Sequence, residues 1–210
     1  MKIDKKSKYL MIIFIIPFLI QFACNSEHDF QKINFNWSED YLGEIAQGFD
    51  PEMKYDFWAL VRTGIPNENS LKIMYQTNDD PLVELDDLFQ RGFYHQGHIS
   101  NVFYYIVTVK DGKDSYFTDT NSLLRFLGKV NTMEEAVMIA KINGFGIDNG
   151  NPKGSSFRKT DNGFEFLLMK SEGPGLIEFR QYLVSVDKKG FVTSEKKEIY
   201  CSGYEDCYKQ

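Results

Sequence analysis

The polarity of the chain changes character twice. It opens with Lys2, Lys5, Lys6 and Lys8 against the single acid Asp4, then runs apolar from Tyr9 to Ala23, 15 residues interrupted by Pro17 and Gln21. A membrane-spanning helix needs about 20 apolar residues at roughly 1.5 Å rise each. The run is short for a span and has the plan of a secretory leader, a basic start followed by a brief apolar stretch and a small residue. Residues 25 to about 36 are polar without periodicity and read as a tether.

The next regime mixes helical and extended patterns. SEDYLGEIAQGF, residues 38 to 49, suits a short helix or an irregular segment. The stretch from Asp50 to Gly64 carries two periods. Asp50, Pro51 and Gly64 stand where a helix cap, first turn and stop belong, and Met53, Phe57, Leu60 and Val61 have helical spacing. Tyr55, Phe57, Ala59 and Val61 also alternate, and IPNENS followed by LKIMYQT would complete a hairpin. A helix is the expectation taken here. Asp80 before Pro81, with Leu82, Leu85, Leu88 and Phe89, predicts another helix ending at Gly92. Val102 to Val109 is β-branched and aromatic, KDGK is a turn, and Ser115 to Thr118 returns, which predicts a hairpin. Two capped helices follow. Asp119 and Thr120 precede Leu123, Leu124 and Leu127, with Gly128 as stop. Thr132 and Glu135 form a capping box ahead of Met133, Ala136, Val137 and Ala140 on one face, and Gly144 ends that helix.

After the Gly- and Asn-rich loop GIDNGNPKGS the period becomes two. SSFRKTD, FEFLLMK, LIEFRQYLVSVD and FVTSEKKEIYC, separated by turns, predict an antiparallel meander of four strands. The apolar phase shifts near Arg180 and Gln181, which predicts a β-bulge there. The fold class is α+β, with helices packed on an antiparallel β-meander. Residues 1–23 read as a signal peptide, 24–36 as the lipidated N-terminus and tether, and 37–210 as one globular domain with possible sub-lobes 37–118 and 119–210.

Charge narrows the partners. Loss of the leader removes 4 of the 24 basic and 1 of the 30 acidic side chains, leaving 187 residues with a net charge of −9. An acidic domain is a poor ligand for nucleic acid or anionic lipid. The length fits a single domain, and an aromatic content of 15% suits a core rich in sheet.

The leader ends Gln21-Phe22-Ala23-Cys24, a small residue immediately before a cysteine. This junction resembles the lipobox of bacterial lipoproteins, in which the cysteine is acylated and becomes the first residue. The usual box has Leu where Gln21 stands, and boxes of the Bacteroidota are looser. The resemblance implies fatty acyl (palmitate-type) chains on Cys24, which anchor stably when two or more are present. The polar stretch CNSEHD is similar to the acidic signals that direct some Bacteroidota lipoproteins to the outer membrane, with its periplasmic or surface face left open. With Cys24 used in this way, Cys201 and Cys207 remain as an even pair in an oxidising compartment. CSGYEDC closes a small loop through turn-forming Ser202 and Gly203, so a disulfide is expected. A redox pair usually has two intervening residues at a helix start, not five near a chain end.

Little else carries chemistry. His95 and His98 are spaced to share a metal, but two more ligands must come from elsewhere, and HExxH and CxxC are absent. They read as loop residues, and no cofactor is expected. The glycines of NGFGIDNGNPKG lack the preceding strand and following helix of a phosphate cradle. Asp79, Asp80, Asp86 and Asp87 read as a solvated helix face.

The segment from Asp119 to Val192 resembles a recurrent C-terminal region of uncharacterised bacterial lipoproteins. The shared features are the helix ending Leu127-Gly128, the Thr132 to Ala136 helix start and the strand from Tyr182 to Gly190. The same order is similar to PepSY-type modules, secreted domains thought to bind or inhibit peptidases. The expectation is a lipid-anchored cell-envelope protein, non-catalytic, that binds a protein, peptide or glycan. The alternatives are a hydrolase or metal-dependent enzyme with dispersed residues and a PepSY-like inhibitory module.

Overall fold

A computed structural model describes residues 29–35, 41–64, 71–78, 85, 91–96, 102–148, 150–172, 178–203 and 207, without the side chains of His95 and Gln96. Among them are ten strands and three helices. In chain order these are β1 (Gln31–Lys32), α1 (Tyr41–Gln47), β2 (Phe57–Thr63), β3 (Lys72–Gln76), β4 (Tyr94–Gln96), β5 (Val102–Lys110), β6 (Lys113–Phe117), α2 (Thr120–Leu127), α3 (Met133–Ile142), β7 (Ser155–Thr160), β8 (Gly163–Ser171), β9 (Glu178–Asp187) and β10 (Val192–Ser202). The class is α+β, as the pattern implies. Residues Gln31–Gln210 form one compact unit; of the preceding unit, Met1–Phe30, only Asp29 and Phe30 are described. No helix among the described residues is long and apolar enough to cross a membrane.

The strands form two antiparallel sheets. In the first the order is β3-β2-β5, with β4 and β6 both pairing with β5. In the second it is β1-β7-β8-β9-β10. One core joins Trp58, Leu60, Tyr104 and Ile106 of the first sheet to Phe164, Phe166, Leu168, Val184 and Val186 of the second, through the buried residues of all three helices. The last of them, α3, therefore lies between the sheets, against β4 of the first and β8 and β9 of the second. This explains α3, whose residues from Glu135 to Lys141 are all buried. A helix packed on one sheet keeps a polar face, whereas one enclosed from both sides does not. Ala136 and Ala140 are both fully buried, as the one-face pattern predicts, and the burial extends to Val137, Met138 and Ile139.

Both expected caps form. The Asp119 carboxylate accepts from Ser122 N–H at 2.9 Å, and Thr132 Oγ1 accepts from Glu135 N–H at 3.2 Å. Each is answered by a reciprocal bond to the cap backbone, two orphan donors satisfied at each helix start.

Three expectations are corrected. Phe57 to Thr63 is a strand, not part of a helix, and the hairpin alternative holds because β2 pairs with β3. The strand lies between β3 and β5. Phe57, Ala59 and Val61 fill one core while Trp58 and Leu60 fill the other, so the run is apolar on both faces and its period is masked. The irregularity predicted at Arg180 and Gln181 lies across the ladder in β10, where the register shifts between Lys196 and Ile199 and again between Ile199 and Cys201. The stretch assigned to the tether contains β1, and Ile33 beyond it is fully buried, its N–H donating to the Ser155 carbonyl at 2.8 Å. Apart from Leu85, the helix expected from Asp80 towards Gly92 lies outside the described residues up to Arg91.

Candidate functional site

The residues singled out in the sequence do not converge among the described positions. Cys24 and His98 lie outside them. His95 stands on β4 opposite Phe103 of β5. No three His, Cys, Asp or Glu side chains among the described residues are placed to hold a metal. Cys201 and Cys207 are joined by a disulfide, with Cα atoms 5.4 Å apart, which ties the end of β10 to the residues after it. The Gly-Asn loop is held by turn chemistry. Asp148 accepts from Gly150 N–H at 2.7 Å and from the Tyr200 hydroxyl, and Asn151 caps the short 3₁₀ turn Pro152–Gly154. Asp79, Asp80, Asp86 and Asp87 lie outside the described residues.

Two features stand out instead. The first is Lys141 in the last turn of α3, which is only 7% exposed. Its Nζ lies 4.9 Å from the Tyr41 ring centroid and 5.6 Å from that of Tyr94, so α1 and β4 both supply aromatic faces to the ammonium. The Tyr41 and Tyr94 phenols influence one another's ionisation, and Tyr104 packs against Tyr94 with ring centroids 5.7 Å apart. No carboxylate among the described residues pairs with the amine. Desolvation therefore lowers its pKa to about 8, and burial raises the Tyr41 and Tyr94 phenols. At pH 7 roughly a tenth of such an amine is uncharged and able to accept a proton or attack a carbonyl. A signal was present in the sequence. Met133, Val137 and Lys141 recur every four residues, so the lysine continues the apolar stripe of α3.

The shift has a measurable consequence. Between pH of about 8 and the ordinary lysine value of 10.5 the unfolded chain holds this proton and the native domain does not. Stability then rises with pH, by up to about 1.4 kcal/mol per unit. Above about pH 10 the raised tyrosines oppose it, because the unfolded phenols lose protons that the native ones keep. Urea unfolding at pH 7.5 and 9.5 is expected to show this gain for the native chain and not for Lys141→Met. A Lys141→Met variant with the same pH slope as the native chain contradicts a desolvated amine.

The second feature is the outer edge of the second sheet. β10 ends that sheet, and no strand pairs with its far side among the described residues. From Val192 to Lys196 its register with β9 is regular, and beyond that the two irregularities use five residues where β9 uses three. Asp187 N–H donates to the Phe191 carbonyl at 3.0 Å. Bonded pairs alternate along an antiparallel ladder, so Thr193 faces Ser185 in a bonded pair and Ser194 turns its N–H outward. Bulges and lysines are how proteins limit pairing at an edge. Here they confine the regular edge to the first half of β10.

Neither the family models, nor the curated proteins, nor the solved structures compared with this chain match it.

Proposed function

We propose that the chain is a lipid-anchored cell-envelope protein, held in the outer membrane through acyl chains on Cys24, whose folded part is a non-catalytic binding module. The anchor rests on the basic leader, the short apolar run and the Ala23-Cys24 junction. The observation that carries the binding role is the edge at Val192 to Lys196, which offers backbone donors and acceptors to an extended peptide. Strand addition takes affinity from the main chain and specificity from alternate side chains. Ser194, Lys196 and their neighbours would set that preference. A second reading, an enzyme, is favoured by the amine of Lys141 among its tyrosines. The PepSY-like inhibitory reading is a special case of peptide binding and is met by the same edge.

Complementation of a strain lacking the gene separates these readings. A chain with His95 and His98 both replaced by Ala is expected to restore the envelope phenotype. Ser194→Pro is expected not to restore it while keeping the native melting temperature, since it deletes an outward N–H and leaves the ladder to β9 intact. The reverse outcome, dependence on the histidines with Ser194→Pro tolerated, supports the metal or hydrolase class. Loss of complementation by Lys141→Met without loss of stability supports amine chemistry.

A further inference from the structure

We propose that the β9–β10 turn, tipped by Phe191, rests in the membrane interface and seats the anchored domain on the bilayer, an inference that rests on the lipid-anchor reading of Cys24. Phe191 is 69% exposed, the most exposed large apolar side chain among the described residues. A single exposed Phe is common in soluble proteins and by itself means nothing. Three observations distinguish this one.

The first is rigidity. Lys189 and Phe191 N–H groups both donate to Asp187 Oδ1, at 2.8 and 2.9 Å, and Gly190 N–H donates to the Asp187 carbonyl at 2.8 Å. Gly190 adopts φ of 79°, and a Cβ there would lie 2.3 Å from Leu124 Cδ2. Glycine thus lets the turn close down on α2. The ring is presented on a fixed support, so little conformational entropy is lost when it is covered.

The second is the direction from which the chain enters. β1 runs antiparallel to β7, with Gln31 opposite Phe157 and Lys32 opposite Ser156. The chain therefore comes into the sheet from the end that carries the β7–β8 turn. That turn is bonded to the β9–β10 turn, since Lys188 N–H donates to the Asn162 carbonyl at 2.9 Å and Lys188 Nζ to the Asp161 carbonyl at 2.8 Å. Gln31 lies seven positions after Cys24, a reach of at most about 25 Å when fully extended. An acylated Cys24 keeps this end near the bilayer at high effective concentration, where a weak apolar contact suffices.

The third is company. Met53, 50% exposed, follows Glu52, whose N–H donates to the Leu127 carbonyl at 3.0 Å. Val130, just beyond, donates to the Lys188 carbonyl at 2.9 Å. Two exposed apolar side chains thus belong to connected turns at this end. Lys188 and Lys189 precede Phe191 in the same turn, and cationic side chains commonly accompany interfacial aromatics. The domain is acidic overall, so the contact is apolar insertion and not adsorption to anionic lipid.

The test uses the full acylated chain in phosphatidylcholine vesicles that carry a doxyl-labelled lipid quencher. An environment-sensitive fluorophore is attached at Phe191→Cys or, as a control at the other end of the sheet, at Lys153→Cys. With Cys24 acylated and the disulfide intact, each variant has one reactive thiol. Co-sedimentation with vesicles and several-fold stronger quenching at 191 than at 153 are expected. Co-sedimentation with equal quenching, or stronger quenching at 153, overturns the seating and leaves the anchor standing. A wild-type chain that fails to co-sediment overturns the anchor and the seating together.

Discussion

Ala140→Glu is expected to leave the domain largely unfolded at 25 °C. Ala140 is fully buried and belongs to the core that joins both sheets. A carboxylate placed there has no water and no described cation waiting for it. The one nearby amine along the helix, Lys141, is engaged with the Tyr41 and Tyr94 rings on α1 and β4. An unpaired buried charge costs several kcal/mol even after relaxation, and the added volume must also displace packed neighbours. Domains of this size are stable by about 5–15 kcal/mol in total. A melting transition within a few degrees of the native one would show that this face of α3 is solvated.

Glu135→Ala is expected to cost about 3–5 kcal/mol. The carboxylate is fully buried and holds two connections at once. Its Oε1 accepts from Asp50 N–H at 2.8 Å, and its Oε2 accepts from Asn131 N–H at 2.6 Å and Thr132 N–H at 3.1 Å. The same residue closes the cap of α3 and fastens the segment between α1 and β2 to it. Truncation leaves three backbone donors without this acceptor. Desolvation raises the Glu135 pKa against the lowering effect of those three bonds. The sign is that of an acid raised on folding: the native domain binds this proton more readily than the unfolded chain, so ionisation of Glu135 itself lowers stability as pH climbs through the carboxylate range. Glu135→Ala is expected to remove that slope along with the stability. Denaturant unfolding from pH 4 to 7 measures both, and a loss below 1 kcal/mol would mean that Asp50 and Asn131 find other acceptors.

The elements that could be read from the sequence are those whose signals are local. Thr132 and Glu135 announce a capping box three residues apart, and Asp119 announces the helix before it. KDGK and Asn162-Gly163 announce turns between runs of period two. What could not be read depends on neighbours remote in the chain. Trp58 and Leu60 meet the helices while Phe57, Ala59 and Val61 meet a second core, and nothing within Asp50 to Gly64 reveals that both faces are covered. The irregularity near Arg180 was visible as a broken phase in β9, but a bulge is shared by two strands, and β10 took the extra residues. The tether expectation failed at Gln31 for the same reason, because β1 exists only through its pairing with Phe157 and Ser156. Of the candidate sites, the disulfide was legible from cysteine spacing. Lys141 was hidden because a lysine on an apolar stripe reads as an exposed end until α1 and β4 close over it. The open edge of β10 is a property of sheet order, which the sequence of one strand does not carry.

The central claim, a folded module held at the envelope by lipid, is tested most directly at Cys24. Cells fed an alkyne fatty acid and expressing the native chain or Cys24→Ala would be compared by click labelling of the purified proteins. The account predicts a labelled native chain and an unlabelled Cys24→Ala variant that still carries its leader. Equal labelling of the two, or none in the native chain, would contradict it.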